Sequence, residues 1–159
     1  MGLEIERKFL VVGFDWKKGM RPVRCRQGYL CPGSGITVRV RVMGDAGYLT
    51  VKGEGSGISR LEYEYVIPVA EADEMLSRLC GKLLVEKNRY TVEHEGREWV
   101  VDEFLGRNTG LVLAELELER EDEVFLLPPW AGREVTGDSR YFNASLACHP
   151  YTAWKGEME

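Results

Sequence analysis

Along residues 3–120 charged side chains repeatedly alternate with apolar ones at a period of two, the spacing of a strand with two unlike faces. Arg39 and Arg41 interleave with Val38 and Val40, Glu62 and Glu64 with Leu61 and Tyr63, and Glu115 and Glu117 with Ala114, Leu116 and Leu118. This pattern predicts strands near 3–11, 24–31, 35–43, 47–53, 60–68, 84–93, 97–103 and 111–120. Turn chemistry separates them at Pro32-Gly33-Ser34-Gly35, Gly44-Asp45-Ala46-Gly47, Gly53-Glu54-Gly55-Ser56-Gly57 and His94-Glu95-Gly96. Loops this short make most neighbouring pairs antiparallel. Helical spacing is rarer. Ala72, Met75, Leu76, Leu79 and Cys80 form one stripe over 70–80, which stops at Gly81, where a left-handed residue fits. A helical turn over 122–126 ahead of Pro128-Pro129, and a last helix capped by Thr136 and running through Ala147, complete the predicted elements. Residues 1–150 read as one domain and 151–159 as a loosely attached tail.

Eight strands suffice to close a sheet on itself and so remove its edges. The predicted fold is therefore mainly β, an eight-stranded antiparallel barrel with a charged interior and a few outer helices. A half-buried sheet whose polar face simply meets water is the alternative. Two features favour closure. The charges are sorted strand by strand into acidic pairs and basic pairs, and like charges two apart on a strand repel unless a ligand of opposite sign compensates them.

Composition narrows the chemistry. At 159 residues with a formal charge of −5, the chain is no general binder of nucleic acid, which would need a basic surface. No apolar run approaches the length that spans a bilayer, and the start, with Glu4 and Glu6, does not resemble a signal peptide. A cytoplasmic protein is expected, with Cys25, Cys31, Cys80 and Cys148 as reduced thiols. With no CxxC pair and only His94 and His149, a zinc site is improbable, so any metal should bind oxygen. The oligomeric state stays open, a homodimer included.

Glu4-Ile5-Glu6-Arg7-Lys8 places two carboxylates and an ammonium on one strand face. Arg39-Val40-Arg41, Lys52, Glu62-Tyr63-Glu64, Lys87-Asn88-Arg89, Asp102 and Glu115-Leu116-Glu117 then follow in order. This series resembles the CYTH, or triphosphate tunnel metalloenzyme, superfamily over nearly the whole chain. Arg26-Gln27-Gly28-Tyr29-Leu30 is similar to the short bacterial members that hydrolyse inorganic tripolyphosphate. The resemblance implies an eight-stranded tunnel in which acidic side chains hold divalent metal and basic ones hold triphosphate. The phosphate-binding candidates are Lys8, Arg39, Arg41, Lys52, Lys87 and Arg89, since guanidinium grips phosphate oxygens in pairs and ammonium adds a point charge. Glu4, Glu6, Asp102, Glu115 and Glu117 are the metal-ligand candidates, for one or two Mg²⁺ or Mn²⁺ ions. Glu6, Lys8, Tyr29 and Asp102 form the candidate catalytic set, and Glu62 and Glu64 are expected to pair with the basic side chains.

Blander readings stand beside these. Asp102 could cap a turn, Tyr29 could be a packed aromatic, and Glu119 reads as an outer charge. The Gly53–Gly57 loop lacks the Lys-Ser/Thr ending of a phosphate-binding P-loop, and Trp99, Trp130 and Phe142 read as packing. The leading function is hydrolysis of inorganic tripolyphosphate, with nucleoside triphosphates as further substrates. A class IV type adenylate cyclase or a thiamine triphosphatase is the enzymatic alternative, and a polyphosphate-binding barrel the non-enzymatic one.

Overall fold

Each strand predicted from the alternation forms in a computed structural model that describes residues 2–31, 35–55 and 58–158. They are β1 (Leu3–Val11), β2 (Val23–Cys31), β3 (Thr37–Met43), β4 (Ala46–Lys52), β5 (Ser59–Ile67), β6 (Leu84–His94), β7 (Arg97–Phe104) and β8 (Val112–Glu117). Pairing runs β5-β4-β3-β2-β6-β7-β8-β1, and a short seam of Leu3↔Leu61, Glu4↔Arg60 and Ile5↔Ser59 returns β1 to β5. The result is a closed, antiparallel, eight-stranded barrel. At the β6–β7 hairpin Glu95 (φ 51°) and Gly96 (φ 76°) adopt the left-handed pair that a two-residue turn matched to strand twist requires. Pro32-Gly33-Ser34 and Ser56-Gly57, parts of two predicted turns, lie outside the described residues.

The helix predicted over 70–80 forms as α1 (Val69–Arg78), and Gly81 takes φ 60° just beyond it. Ala72 and Leu76 bury against Val40 and Val42 on the outer face of the barrel. Strand β2 passes so close beneath that a Cβ at Gly28 would sit 2.7 Å from Cys80 Sγ, so only glycine fits there.

Several predicted elements differ. A ninth strand, β9 (Ala131–Glu134), pairs with β1 at Phe9↔Glu134 and Val11↔Ala131, beyond the seam with β5. Its four residues are too few to display a period of two. Residues 122–126 are not helical, because Glu123 is tied by its side chain to the Glu119 backbone N–H at 2.7 Å and to Arg97. Thr136 caps no helix: its hydroxyl accepts from the Lys8 backbone N–H at 2.8 Å and donates to Glu134 at 2.6 Å. The chain instead makes a single 3₁₀ turn at Ser139–Tyr141, extends at Phe142, and then forms α2 (Asn143–Cys148). After Pro150 the chain is docked, not loose. Helix α3 (Tyr151–Trp154) sets the Trp154 ring 5.4 Å from Tyr141 and 5.1 Å from Tyr151.

The apolar core lies on both sides of the barrel wall. Ile5, Phe9, Trp99, Val101, Ala114 and Leu116 point outward, under Phe125 and Trp130, whose rings stand edge-on to Trp99. The inward parity carries Lys8, Lys87, Asp102 and Glu115, and two residues further along the same strands it carries Leu10, Val85, Phe104 and Leu113. Those four pack with Tyr29, Tyr141, Leu146 and Ala147. One end of the barrel is thus plugged by hydrocarbon from α2, and the charges occupy the rest. No helix among the described residues is long and apolar enough to cross a membrane.

Candidate active site

The inward side chains enclose a cavity of about 340 Å³. Of the residues singled out in the sequence, Glu4, Glu6, Lys8, Tyr29, Arg39, Arg41, Lys52, Glu62, Lys87, Arg89, Glu115 and Glu117 line it. Glu64 and Asp102 do not line it; both lie against its cations. Arg60, Glu98 and Asn143 line it as well and escaped the sequence reading, and Phe142, expected only to pack, lines it too. Arg60 and Glu98 sit two residues before Glu62 and Val100, so the same alternation could have found them. Asn143 comes from a helix end, where no periodicity points at the barrel.

On the basic side, Arg39 and Arg41 are buried together, and each reaches Glu64 Oε2, at 3.5 and 3.3 Å. The Thr50 hydroxyl donates to the same oxygen at 3.0 Å. Both Arg Nε atoms are buried with no acceptor. A buried donor left unpaired costs about 1–3 kcal/mol, so the two guanidiniums are held here at an energetic cost. Burial, reinforced by Arg39 and Arg89, pushes the Arg41 guanidinium down to about 10. Lys52 lies 3.3 Å from both oxygens of Glu4 and 3.5 Å from Glu62, and burial lowers its pKa.

Asp102 anchors a second group. It accepts from Lys87 at 2.8 Å and from Arg89 through two bonds of 2.8 and 2.9 Å, with Lys87 and Asp102 each 1% exposed. The sequence reading put Asp102 among the metal ligands, whereas the structure gives its oxygens to these two cations. Burial alone would raise the Asp102 pKa; Lys87 and Arg89 outweigh it and hold the carboxyl below its ordinary range. Arg89 is raised in return, against its own burial, while burial lowers Lys87.

The acidic side is arranged differently. Lys8 faces Glu115 and Glu6 faces Glu117 across β1 and β8, which brings Glu6 and Glu115 together on the diagonal. Burial, then the charges of Glu115 and Glu4, raise Glu6 well above the ordinary carboxylate range. Glu115 moves the other way: despite its burial, Lys8 and a hydrogen bond with Glu6 hold it low. The two carboxyls are within hydrogen-bonding reach of each other. Lys8 Nζ also donates to the Tyr141 carbonyl at 3.3 Å and lies 5.6 Å from the Phe142 ring, whose centroid is 5.1 Å from the Arg60 guanidinium. The Tyr29 hydroxyl accepts from Gln27 Nε2 at 3.1 Å, and burial raises its pKa.

No His or Cys lines the cavity, and among the described residues no three His, Cys, Asp or Glu side chains are gathered closely enough to form a ready-made metal cage. The donor set nevertheless suits a hard cation. It is all oxygen, with Glu6 diagonal to Glu115 across β1 and β8 and Glu4 and Glu117 on the same lining.

A closed barrel whose interior gathers guanidinium and ammonium groups together with carboxylates has the charge chemistry to take up a small polyanion accompanied by cations. The CYTH domain family model matches residues 2–151, and the chain belongs to that family. Over 155 residues it is 56% identical to the inorganic triphosphatase of Acetivibrio thermocellus, covering 98% of this chain and 99% of that one. The inorganic triphosphatase of Nitrosomonas europaea is 42% identical over 148 residues, 91% of this chain and 96% of that one. The crystal structure of the inorganic triphosphatase NE1496 matches with a TM-score of 0.66 at 41% identity, over 91% of this chain and 93% of that one.

Proposed function

We propose that this chain is a divalent-metal-dependent hydrolase of inorganic tripolyphosphate. The observation that carries the reading is the convergence of Lys8, Arg39, Arg41, Lys52, Lys87 and Arg89 on one cavity that Glu4, Glu6, Glu115 and Glu117 also line. The names of the two relatives and of the solved structure support the same reaction.

Charge balance supports the metal. Among the described residues seven cations line the cavity, Lys8, Arg39, Arg41, Lys52, Arg60, Lys87 and Arg89. Eight carboxylates oppose them: Glu4, Glu6, Glu62, Glu98, Glu115 and Glu117 on the lining, with Glu64 and Asp102 paired from behind. The two sets nearly cancel, so a substrate bearing several negative charges needs cations that the protein does not itself supply. Glu4, Glu6, Glu115 and Glu117 would hold Mg²⁺ or Mn²⁺, one or two ions, since Mg²⁺ uses one or two carboxylates and takes its other ligands from substrate and water. When bound, the metal supplies Lewis-acid polarisation of the phosphate oxygens.

The chain's own residues supply the rest. Arg39, Arg41 and Lys52 hold the anhydride-linked phosphates, and Glu64 and Glu62 keep those cations in place before substrate arrives. Asp102 keeps Lys87 and Arg89 in position, which makes it a positioning residue. Water attacks a terminal phosphorus, a new P–O bond forms as the anhydride P–O bond breaks, and pyrophosphate leaves with its charge met by the basic side chains. Lys8 and Tyr29 border the reacting phosphate, Tyr29 as a neutral hydroxyl. The free thiols of Cys25, Cys80 and Cys148 fit a reducing cytoplasm.

Incubation with tripolyphosphate, ATP and thiamine triphosphate in Mg²⁺, in Mn²⁺ and in chelator tests the reading. Equal release of phosphate and pyrophosphate from tripolyphosphate, only with metal, is expected. Cyclic AMP as the main product from ATP would overturn the choice, and ligand binding without turnover would leave a polyphosphate-binding barrel.

A further inference from the structure

Lys87 sets the direction of a buried hydrogen-bond chain that ends at Tyr29. An ammonium can only donate, so the Asn143 atom 2.8 Å from Lys87 Nζ is the amide oxygen Oδ1. The same oxygen accepts from Gln27 Nε2 at 3.2 Å. The Gln27 amide is therefore oriented too, with its own Oε1 toward Cys25 Sγ at 3.6 Å. Its other N–H goes to the Tyr29 hydroxyl at 3.1 Å, and a hydroxyl oxygen that accepts there keeps its hydrogen for a different acceptor. Gln27 is fully buried, so this orientation is not exchanged with solvent.

Two donors remain without a protein acceptor among the described residues: Asn143 Nδ2 and the Tyr29 O–H. Both residues line the cavity. Both also belong to its plugged end, since Tyr29 packs with Val85, Phe104 and Leu113 and Asn143 opens α2. Burial keeps Tyr29 protonated at neutral pH.

We propose that Asn143 Nδ2 and the Tyr29 hydroxyl form a neutral donor pair that binds phosphate oxygens at the plugged end of the barrel, Asn143 as a substrate-binding residue and Gln27 as the positioning residue that aims both. The inference rests on the tripolyphosphate reading and names a part of the site supplied by the plug. Neutral donors fit this end because Lys87 already bonds Asn143, and a further cation beside it would be repelled, whereas an amide N–H or a hydroxyl O–H can add a donor without adding charge.

Asn143→Asp keeps the shape and the oxygen that Lys87 needs, and replaces the Nδ2 donor with an acceptor. It should raise KM for tripolyphosphate about 10- to 100-fold, the size of a lost hydrogen bond to a charged group, with the melting temperature kept. Should that variant not fold, Asn143→Ala, which leaves Lys87 on Asp102, carries the same expectation. Gln27→Glu turns position 27 into an acceptor for the Tyr29 hydroxyl and should lower kcat/KM about tenfold; Gln27→Met is the apolar alternative. That loss should largely vanish in a Tyr29→Phe background, whereas a purely structural role would be additive and would lower the melting temperature. An unchanged KM in Asn143→Asp, or additive effects of Gln27 and Tyr29, would overturn the inference while the tripolyphosphatase reading stands. A wild type that binds tripolyphosphate by calorimetry but does not hydrolyse it sinks the functional reading alone, and the Kd of Asn143→Asp then decides the donor pair. No binding by the wild type sinks both.

Discussion

Asp102, buried, and Glu6, half-buried, are carboxylates on the inner face of one barrel, and their surroundings push their pKa values in opposite directions. Asp102 meets Lys87 and both arms of Arg89 and is held ionised. At Glu6, burial and then the charges of Glu115 and Glu4 outweigh Lys8 and raise the carboxyl well above its ordinary range. One wall is electrostatically complete as folded. The other sets Glu6 beside Glu115 and Glu4 in a desolvated position, and under the proposed function that separates a residue positioning the machinery from residues that would hold metal.

The comparison breaks or sharpens through a short series of measurements. Glu6→Ala should reduce metal-dependent tripolyphosphate turnover by about 10³-fold or more with the circular dichroism spectrum unchanged, the scale of losing one transition-state charge stabiliser. Asp102→Asn should cost about 3–5 kcal/mol in urea unfolding, because it strands two buried cations, whereas Glu6→Gln should cost nothing in chelator. Equal losses in the two variants would erase the distinction. Mg²⁺ or Mn²⁺ at a hundred times its Kd should stabilise the wild type by about 2.7 kcal/mol and do far less for Glu6→Gln, as thermal unfolding with and without chelator will show.

The pH dependence carries the signs of the two shifts. Glu6 binds its proton more tightly folded than unfolded, so its contribution is present below the raised folded pKa and is lost as pH rises from the ordinary carboxylate range through that value. Asp102 has the opposite sign: its contribution is full above the ordinary aspartate range and is lost as pH falls through its depressed folded pKa. In chelator, Glu6→Gln should therefore flatten the decline of unfolding free energy with rising pH, and an unchanged slope would refute the shift. The smallest effect belongs to the outer surface. Glu134→Ala, which removes the half-exposed pair with Arg7 across β1 and β9, should cost about 1 kcal/mol or less and leave kcat alone.

Much of the site was legible because strand parity is local. Arg39 and Arg41, Glu62 and Glu64, or Glu115 and Glu117 must share a face once the segment is extended, whatever the rest of the chain does. Strand β9 was not legible, since four residues show no period, nor was the loop at 122–126, where Glu123 bonding to Arg97 and to the Glu119 backbone overrides helical spacing. The Gln27–Asn143–Lys87 chain left no trace either: its members lie 116 and 56 positions apart and meet only because α2 fills the end of the barrel.

The amino-acid sequence by itself determined which side chains travel together along each strand and that two kinds of charge are sorted among strands, because backbone geometry couples neighbours two apart. Which face turned inward, which carboxylate met cations and which met other carboxylates, and what sealed the far end were decided only by ring closure and by α2. Those outcomes depend on partners distant in the chain, and a residue's electrostatic surroundings are set by those partners and not by its position in a motif.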